Sequence, residues 1–164
     1  MTVFFVIDTS YLLEIYGVPT HSSERASAEI RRRVGEAGKS DASFVVPLGC
    51  ILELGNHIAK LVDGSDRHRF AKKLADDVAS SVEQQWGPWV IKPAVDVEEA
   101  PQLITELLAR AASGVGLVDC ATARLARGLK AKYRSFGDYR VHIWTKDSAL
   151  KSLEPDPEPE PFLG

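Results

Sequence analysis

Val3-Phe4-Phe5-Val6-Ile7-Asp8-Thr9-Ser10 opens the chain with an unbroken apolar run that stops at a carboxylate. A short run of β-branched and aromatic residues, without polar alternation, reads as a strand buried on both faces, as in a parallel sheet. Tyr11-Leu12-Leu13-Glu14-Ile15-Tyr16 then continues as a helix. An acid at the carboxyl end of a buried parallel strand stands where open α/β sheets build their sites. Asp8, Thr9 or Ser10 would also serve as the helix N-cap, and this stretch alone leaves both readings open.

Working outward, three further short apolar runs read as strands: Ser43 to Pro47, Trp89 to Pro93, which ends at its proline, and Tyr139 to Thr145. Between them lie helical patterns. A polar helix starts at Ser22-Ser23-Glu24 and runs to about Gly38. An apolar one spans Leu48 to Lys60, and a mixed-charge one follows the Asp63-Gly64-Ser65-Asp66 turn to about Val82. Val97 to Ala112 is amphipathic and closes at Ser113-Gly114; Val118 to about Tyr133 and the short Ser148 to Leu153 complete the set. Strands alternating with helices predict a three-layer α/β/α domain over residues 1–153, with a mostly parallel central sheet of four or five strands. Residues 154–164 alternate acids with prolines, a composition that predicts a disordered tail.

The chain has 164 residues and a net charge of −3, which is one domain by length. No apolar run approaches the ~20 residues of a membrane span, and the opening run lacks the basic flank and cleavage site of a signal peptide. Cys50 and Cys120 each lie in an apolar helical pattern and make no disulfide framework. Buried free thiols and a cytoplasmic location are the expectation. The charge gains meaning once divided. Four of the 23 acids are in the tail, so the body carries 20 bases against the other 19. If four more acids gather in one pocket, the remaining surface is mildly positive, which favours a polyanion.

Four acids occupy comparable places. Asp8 ends the first strand, Asp147 follows the fourth, Glu53 lies in the helix after the second, and Asp119 opens the helix leading to the fourth. If the first and fourth strands are neighbours where strand order reverses, Asp8 and Asp147 lie side by side in the crevice there. Asp119 and Asp147 each have an alternative as helix caps. Glu53, between Leu52 and Leu54, does not, because an unpaired carboxylate in an apolar stretch is costly to bury.

Val6-Ile7-Asp8-Thr9-Ser10, Pro47 with Leu52-Glu53-Leu54, Val118-Asp119-Cys120-Ala121-Thr122-Ala123-Arg124-Leu125-Ala126, and Trp144-Thr145-Lys146-Asp147 resemble, in order, the four motif blocks of the PIN-domain nucleases. The resemblance runs from residue 2 to about 153. It implies a PIN-like fold whose acidic quartet falls on Asp8, Glu53, Asp119 and Asp147, with helper hydroxyls on Ser10 and Thr145. In that family the acids hold Mg²⁺ or Mn²⁺ and cleave RNA. Many members, such as the VapC-type nucleases, are toxins of toxin–antitoxin pairs, so an antitoxin protein and a homodimer are family-level expectations. The stretch between Glu53 and Asp119 is longer than in compact toxin members, and the tail lies outside the family pattern.

Such chemistry suits the set. Phosphodiester hydrolysis adds negative charge to an anion, and a divalent ion neutralises it, activates water and orients the phosphate. Mg²⁺ takes oxygen ligands, few of them direct carboxylates. Two carboxylates at ~4 Å repel by about 4 kcal/mol at an effective dielectric near 20, so raised carboxylate pKa values are expected in the metal-free site. Basic clusters on three helices are solvated faces by default. Among them, Arg124, Arg127 and Lys130 are the candidates for phosphate contact, because their helix starts at Asp119. His57, four residues after Glu53, can share its helix face and is expected to be a hydrogen-bonded residue rather than a ligand. His21, His68 and His142 have no motif context.

Rival readings fit less well. A haloacid-dehalogenase-type phosphatase needs a second Asp where Ser10 stands, and a von Willebrand-type adhesion site fails at Leu12. The rival from another class is a PIN fold that binds metal, RNA or a protein without turnover.

Overall fold

The computed structural model describes residues 1–135 and 137–164. Four strands form one parallel sheet: β1 (Thr2–Ile7), β2 (Ala42–Pro47), β3 (Val90–Lys92) and β4 (Tyr139–Trp144), in the order β3-β2-β1-β4. Parallel neighbours need helical crossovers, and the chain supplies them. Helices α1 (Thr9–Tyr16) and α2 (Glu24–Ala37) join β1 to β2, and α3 (Leu48–Ala59) and α4 (Gly64–Val82) join β2 to β3. Helices α5 (Ala100–Arg110) and α6 (Leu117–Lys132) return the chain past β1 to β4, and α7 (Ser148–Lys151) follows. The three-layer α/β/α expectation therefore holds, with four strands.

The sheet alternates strictly. Phe5, Ile7, Phe44, Val46 and Trp144 face α1 to α4, whereas Phe4, Val6, Val45, Val141 and Ile143 face α6 and α7. This is the period of two that places successive side chains on opposite faces. Both faces are apolar because both are covered. On the first face, Phe5 lies across strands between Phe44 (6.0 Å between ring centroids) and Trp144 (4.0 Å). Register pairs Phe5 with Phe44 and His142, and Ile7 with Trp144. The carboxyl ends of β1 and β4 are thereby level, and strand order reverses between them. That is the switch point.

The tail departs from expectation. Instead of a disordered segment, residues 154–162 lie along the free edge of β4. Val141 donates its backbone N–H to Asp156 Oδ2 (2.8 Å), and Ile143 donates to Glu154 Oε2 (3.1 Å). Lys151, buried, donates to the Ile143 carbonyl (2.9 Å) and pairs with Glu154 and Glu158. Asp156 also pairs with Lys130 (2.8 Å). Further on, Tyr11 donates its hydroxyl to the Phe162 carbonyl (2.8 Å), and the Phe162 ring packs on the first core cluster. Low apolar content leaves a chain unfolded only if polar pairing cannot replace core burial. Here the acids satisfy an edge strand's unpaired N–H groups and compensate a buried ammonium.

Burial opposes ionisation of Asp156, but Lys130 and the Val141 N–H outweigh it and hold its carboxyl below the usual range. Asp156→Ala is expected to lower stability by about 1–3 kcal/mol, since it strands a buried N–H, read as a lower urea midpoint. An unchanged midpoint would mean the tail contributes nothing to the fold.

Candidate active site

Asp8 follows β1 directly and is nearly inaccessible, at 6% exposure. Its N–H donates to the Trp144 carbonyl (3.0 Å), extending the β1–β4 ladder by one bond. Its Oδ2 accepts from the Ser10 N–H (3.2 Å), Ser10 Oγ (2.8 Å) and Thr145 Oγ1 (2.9 Å). Thr145 and Ser10 are in turn fixed by backbone N–H groups of Asp147 (3.0 Å) and Lys146 (2.9 Å). Asp8 is thus a helix cap and a buried acid held across two strand ends. Among the described residues, its Oδ1 accepts only from the Cys50 thiol at 3.9 Å, and burial and Asp8 push that thiol up to about 12. A protonated thiol is a weak donor, so Oδ1 is nearly unspent.

The other three acids repeat this division of labour between their two oxygens. Asp147 caps α7 through Oδ1, which accepts from Ala149 and Leu150 N–H groups (2.7 and 2.9 Å). Asp119, in the first turn of α6, accepts from the Gly116 N–H through Oδ2 (2.8 Å). Glu53, in the second turn of α3, accepts from Thr9 Oγ1 through Oε2 (2.6 Å). From the described residues, Asp147 Oδ2, Asp119 Oδ1 and Glu53 Oε1 receive no hydrogen bond.

Electrostatics ties the four together. Partial burial raises Asp119 to about 6; the Gly116 N–H opposes this, and the charges of Asp8, Asp147 and Glu53 add to it. All four sequence candidates therefore act on one locality at the carboxyl edge of the sheet. They do not form a finished cage: among the described residues, no three His, Cys, Asp or Glu side chains are arranged to hold an ion as they stand. The donor set of four carboxylates, each keeping an oxygen with no strong donor, together with two hydroxyls, is nonetheless the all-oxygen chemistry that Mg²⁺ or Mn²⁺ accepts.

Three groups escaped the sequence reading. Thr9, buried, orients Glu53. Lys146 pairs with Glu14 (2.5 Å), which is only 1% exposed and also accepts from Ser27 Oγ (2.7 Å) and the Ser23 N–H (3.1 Å). Burial would raise Glu14, but Lys146, Ser27 and Ser23 together hold it below the usual range. This ion pair braces the Thr145-Lys146-Asp147 segment against α1 and α2. Glu14 carried the same mark as Glu53, a lone acid within an apolar helical run.

The expected phosphate contacts fare differently. Arg124 is bound to Glu106 (2.7 Å) and Glu99 (2.9 Å), Arg127 to Glu106 (3.0 Å), and Lys130 to Asp156 (2.8 Å). Each cation is already paired, so this edge presents little unspent positive charge. His57 stands beside Glu53 as its spacing requires, and its ring meets His21. Burial and His21 together outweigh Glu53 and hold it below the usual imidazole range.

Fold and site together define an open parallel α/β domain with a group of acids beside its strand-order reversal. No helix of the described residues is long and apolar enough to cross a membrane. The chain matches no protein-family model and no curated protein.

Asp119 binds its proton more tightly folded than at its unperturbed 3.8. That contribution to stability is present below about pH 3.8 and lost as pH rises through about 6. Asp119→Asn keeps an acceptor for the Gly116 N–H and removes the charge. In metal-free buffer at pH ~7.5 it is expected to raise Tm by about 2–4 °C, the equivalent of ~1 kcal/mol after discounting for partial exposure. Near pH ~4 the two proteins should melt together. A variant less stable than wild type at pH ~7.5 would contradict the crowding of these charges.

Proposed function

We propose that this protein is a divalent-metal-dependent ribonuclease of the PIN-domain kind, hydrolysing RNA phosphodiester bonds at Asp8, Glu53, Asp119 and Asp147. The observation that carries the reading is that Asp8, Asp147 and Glu53, from three other segments, lie near enough for their charges to raise Asp119, beside the β1–β4 switch point where open α/β sheets bind ligands. The four motif blocks resembling PIN nucleases add to it.

Asp8, Glu53, Asp119 and Asp147 would hold the ion, some through water. When bound, Mg²⁺ or Mn²⁺ supplies charge neutralisation at the phosphate and an activated water. The residues of the chain do the positioning. Ser10 and Thr145 fix Asp8 Oδ2, leaving Oδ1 to the weak Cys50 thiol donor. Thr9 holds Glu53 against the start of α1. Without metal, Asp119 binds a proton below about pH 6, so its own charge is available to a cation only above that. With the α6 cations engaged, phosphate attraction would come chiefly from the metal. A toxin role with an antitoxin partner, and a homodimer, belong to the same proposal and rest on the resemblance alone.

The second reading is a binding protein without turnover. What favours it is that, among the described residues, the acids do not converge as a ready ion cage. Cleavage of mixed RNA with Mn²⁺ separates the two. Wild type should cleave, Asp8→Asn should lose about 100-fold or more, and Thr145→Ala about 10-fold as a positioning loss. Metal at 100 times its Kd should stabilise the wild type by about 2.7 kcal/mol and leave Asp8→Asn less affected. Equal cleavage by wild type and Asp8→Asn, or none by either on RNA and single-stranded DNA, removes the nuclease reading. Stabilisation by metal without cleavage supports the binding protein.

A further inference from the structure

A cleft between β3 and α6 lies apart from the four acids, since β3 is two strands from β1, about 10 Å across the sheet. It encloses about 430 Å³, within the range of small-ligand sites. Lys92 at the end of β3 lines one wall, and Arg124, Arg127 and Lys132 of α6 line the other. Their spacing of three to five residues keeps these α6 positions on one side of the helix. The lining includes one acid, Glu99.

The charges do not cancel. Glu99 and Glu106 balance Arg124 and Arg127, and Glu99 also accepts from the Asp96 N–H (3.1 Å). Lys92 and Lys132 make no ion pair with any described residue; the Lys132 ammonium stands 5.4 Å from the centroid of the Tyr133 ring. The cleft therefore keeps a surplus of two positive charges, one from each wall. Arg127 spends Nη2 on Glu106, which leaves donors among the five N–H groups of its guanidinium.

Two backbone features also suit a ligand. Gly128 lines the cleft from inside α6, where glycine is the least favourable residue after proline. Close packing does not demand it, because a Cβ there would meet no atom within 4 Å. What the missing side chain leaves is room. On the β3 side, Ala94 takes φ 67° in a turn closed by the Val95 N–H on the Pro93 carbonyl (2.9 Å). That is the strained form of the γ-turn, and strain of this kind collects at ligand clamps.

We propose that this cleft binds a small phosphorylated molecule, with Lys92, Lys132 and the spare Arg127 donors on its phosphates and Leu125 against its body. None of the described lining residues is aromatic. Grooves for single-stranded RNA combine positive charge with aromatic platforms on which bases stack, so the lining favours a compact anion over a strand. The site does not depend on the nuclease reading.

Titration calorimetry of the full chain with inorganic pyrophosphate tests this, in EDTA so that no metal bridges the anion to the carboxylates. Wild type and Asp8→Asn should bind alike. Lys92→Gln and Lys132→Gln should each weaken binding about threefold or more, the size of an exposed charge contact. Lys39→Gln, in the turn before β2, should change nothing. Gly128→Leu should fill the space and weaken binding without lowering Tm, because leucine is the better helix former. Unchanged affinity in both cleft lysine variants, an equal loss in Lys39→Gln, or no binding by wild type overturns the site. A short single-stranded RNA that binds more tightly than pyrophosphate, with the same dependence on Lys92 and Lys132, assigns the cleft to a strand and also overturns it.

Discussion

The arrangement depends on the closure of β1 on β4 at their carboxyl ends. The Asp8 N–H to Trp144 carbonyl bond and the Thr145 hydroxyl on Asp8 Oδ2 lock two strand ends that are more than 130 residues apart in sequence. Because the bonds run in one network with Ser10 and the N–H groups of Lys146 and Asp147, their buried polar atoms satisfy one another. A buried carboxylate left without these donors would cost several kcal/mol. The network therefore fixes the start of α1, the exit from β4 and the position of Asp147 at once.

Helix cap and site residue prove to be compatible roles rather than rivals. A carboxylate has two oxygens with several lone pairs, and a cap needs one. Asp8, Asp119 and Asp147 each commit one oxygen to backbone or hydroxyl donors near a helix start and leave the other without a strong donor among the described residues. Capping orients the side chain at no cost to its remaining oxygen. The helix N-terminus also favours negative charge, which offsets part of the burial and repulsion that raise Asp119. The same economy extends outward. The buried Glu14–Lys146 pair and the acids around Lys151 fix the segments on either side of β4 with polar contacts instead of apolar volume.

The strands, the helices and the four acids could be read from the chain itself. Apolar runs of strand length, helical spacing and turn residues are local properties, and all four strands lie within a residue or two of where the pattern puts them. Asp8, Glu53, Asp119 and Asp147 were visible because each interrupts or ends such a pattern. Tertiary structure alone decided what lies across from each charge. Arg124 and Arg127 looked available for phosphate, yet Glu106 and Glu99, 18 to 25 residues away, neutralise them. The tail looked unstructured by composition, yet it is ordered by the free edge of β4 and the burial of Lys151, neither of which leaves a local trace. His21 had no context until the turn after α1 brought it against His57. Periodicity and propensity are written over a few residues, and the sequence determined what depends on them. Pairing of charges and donors is set by strand order and register, so only the folded chain could decide it.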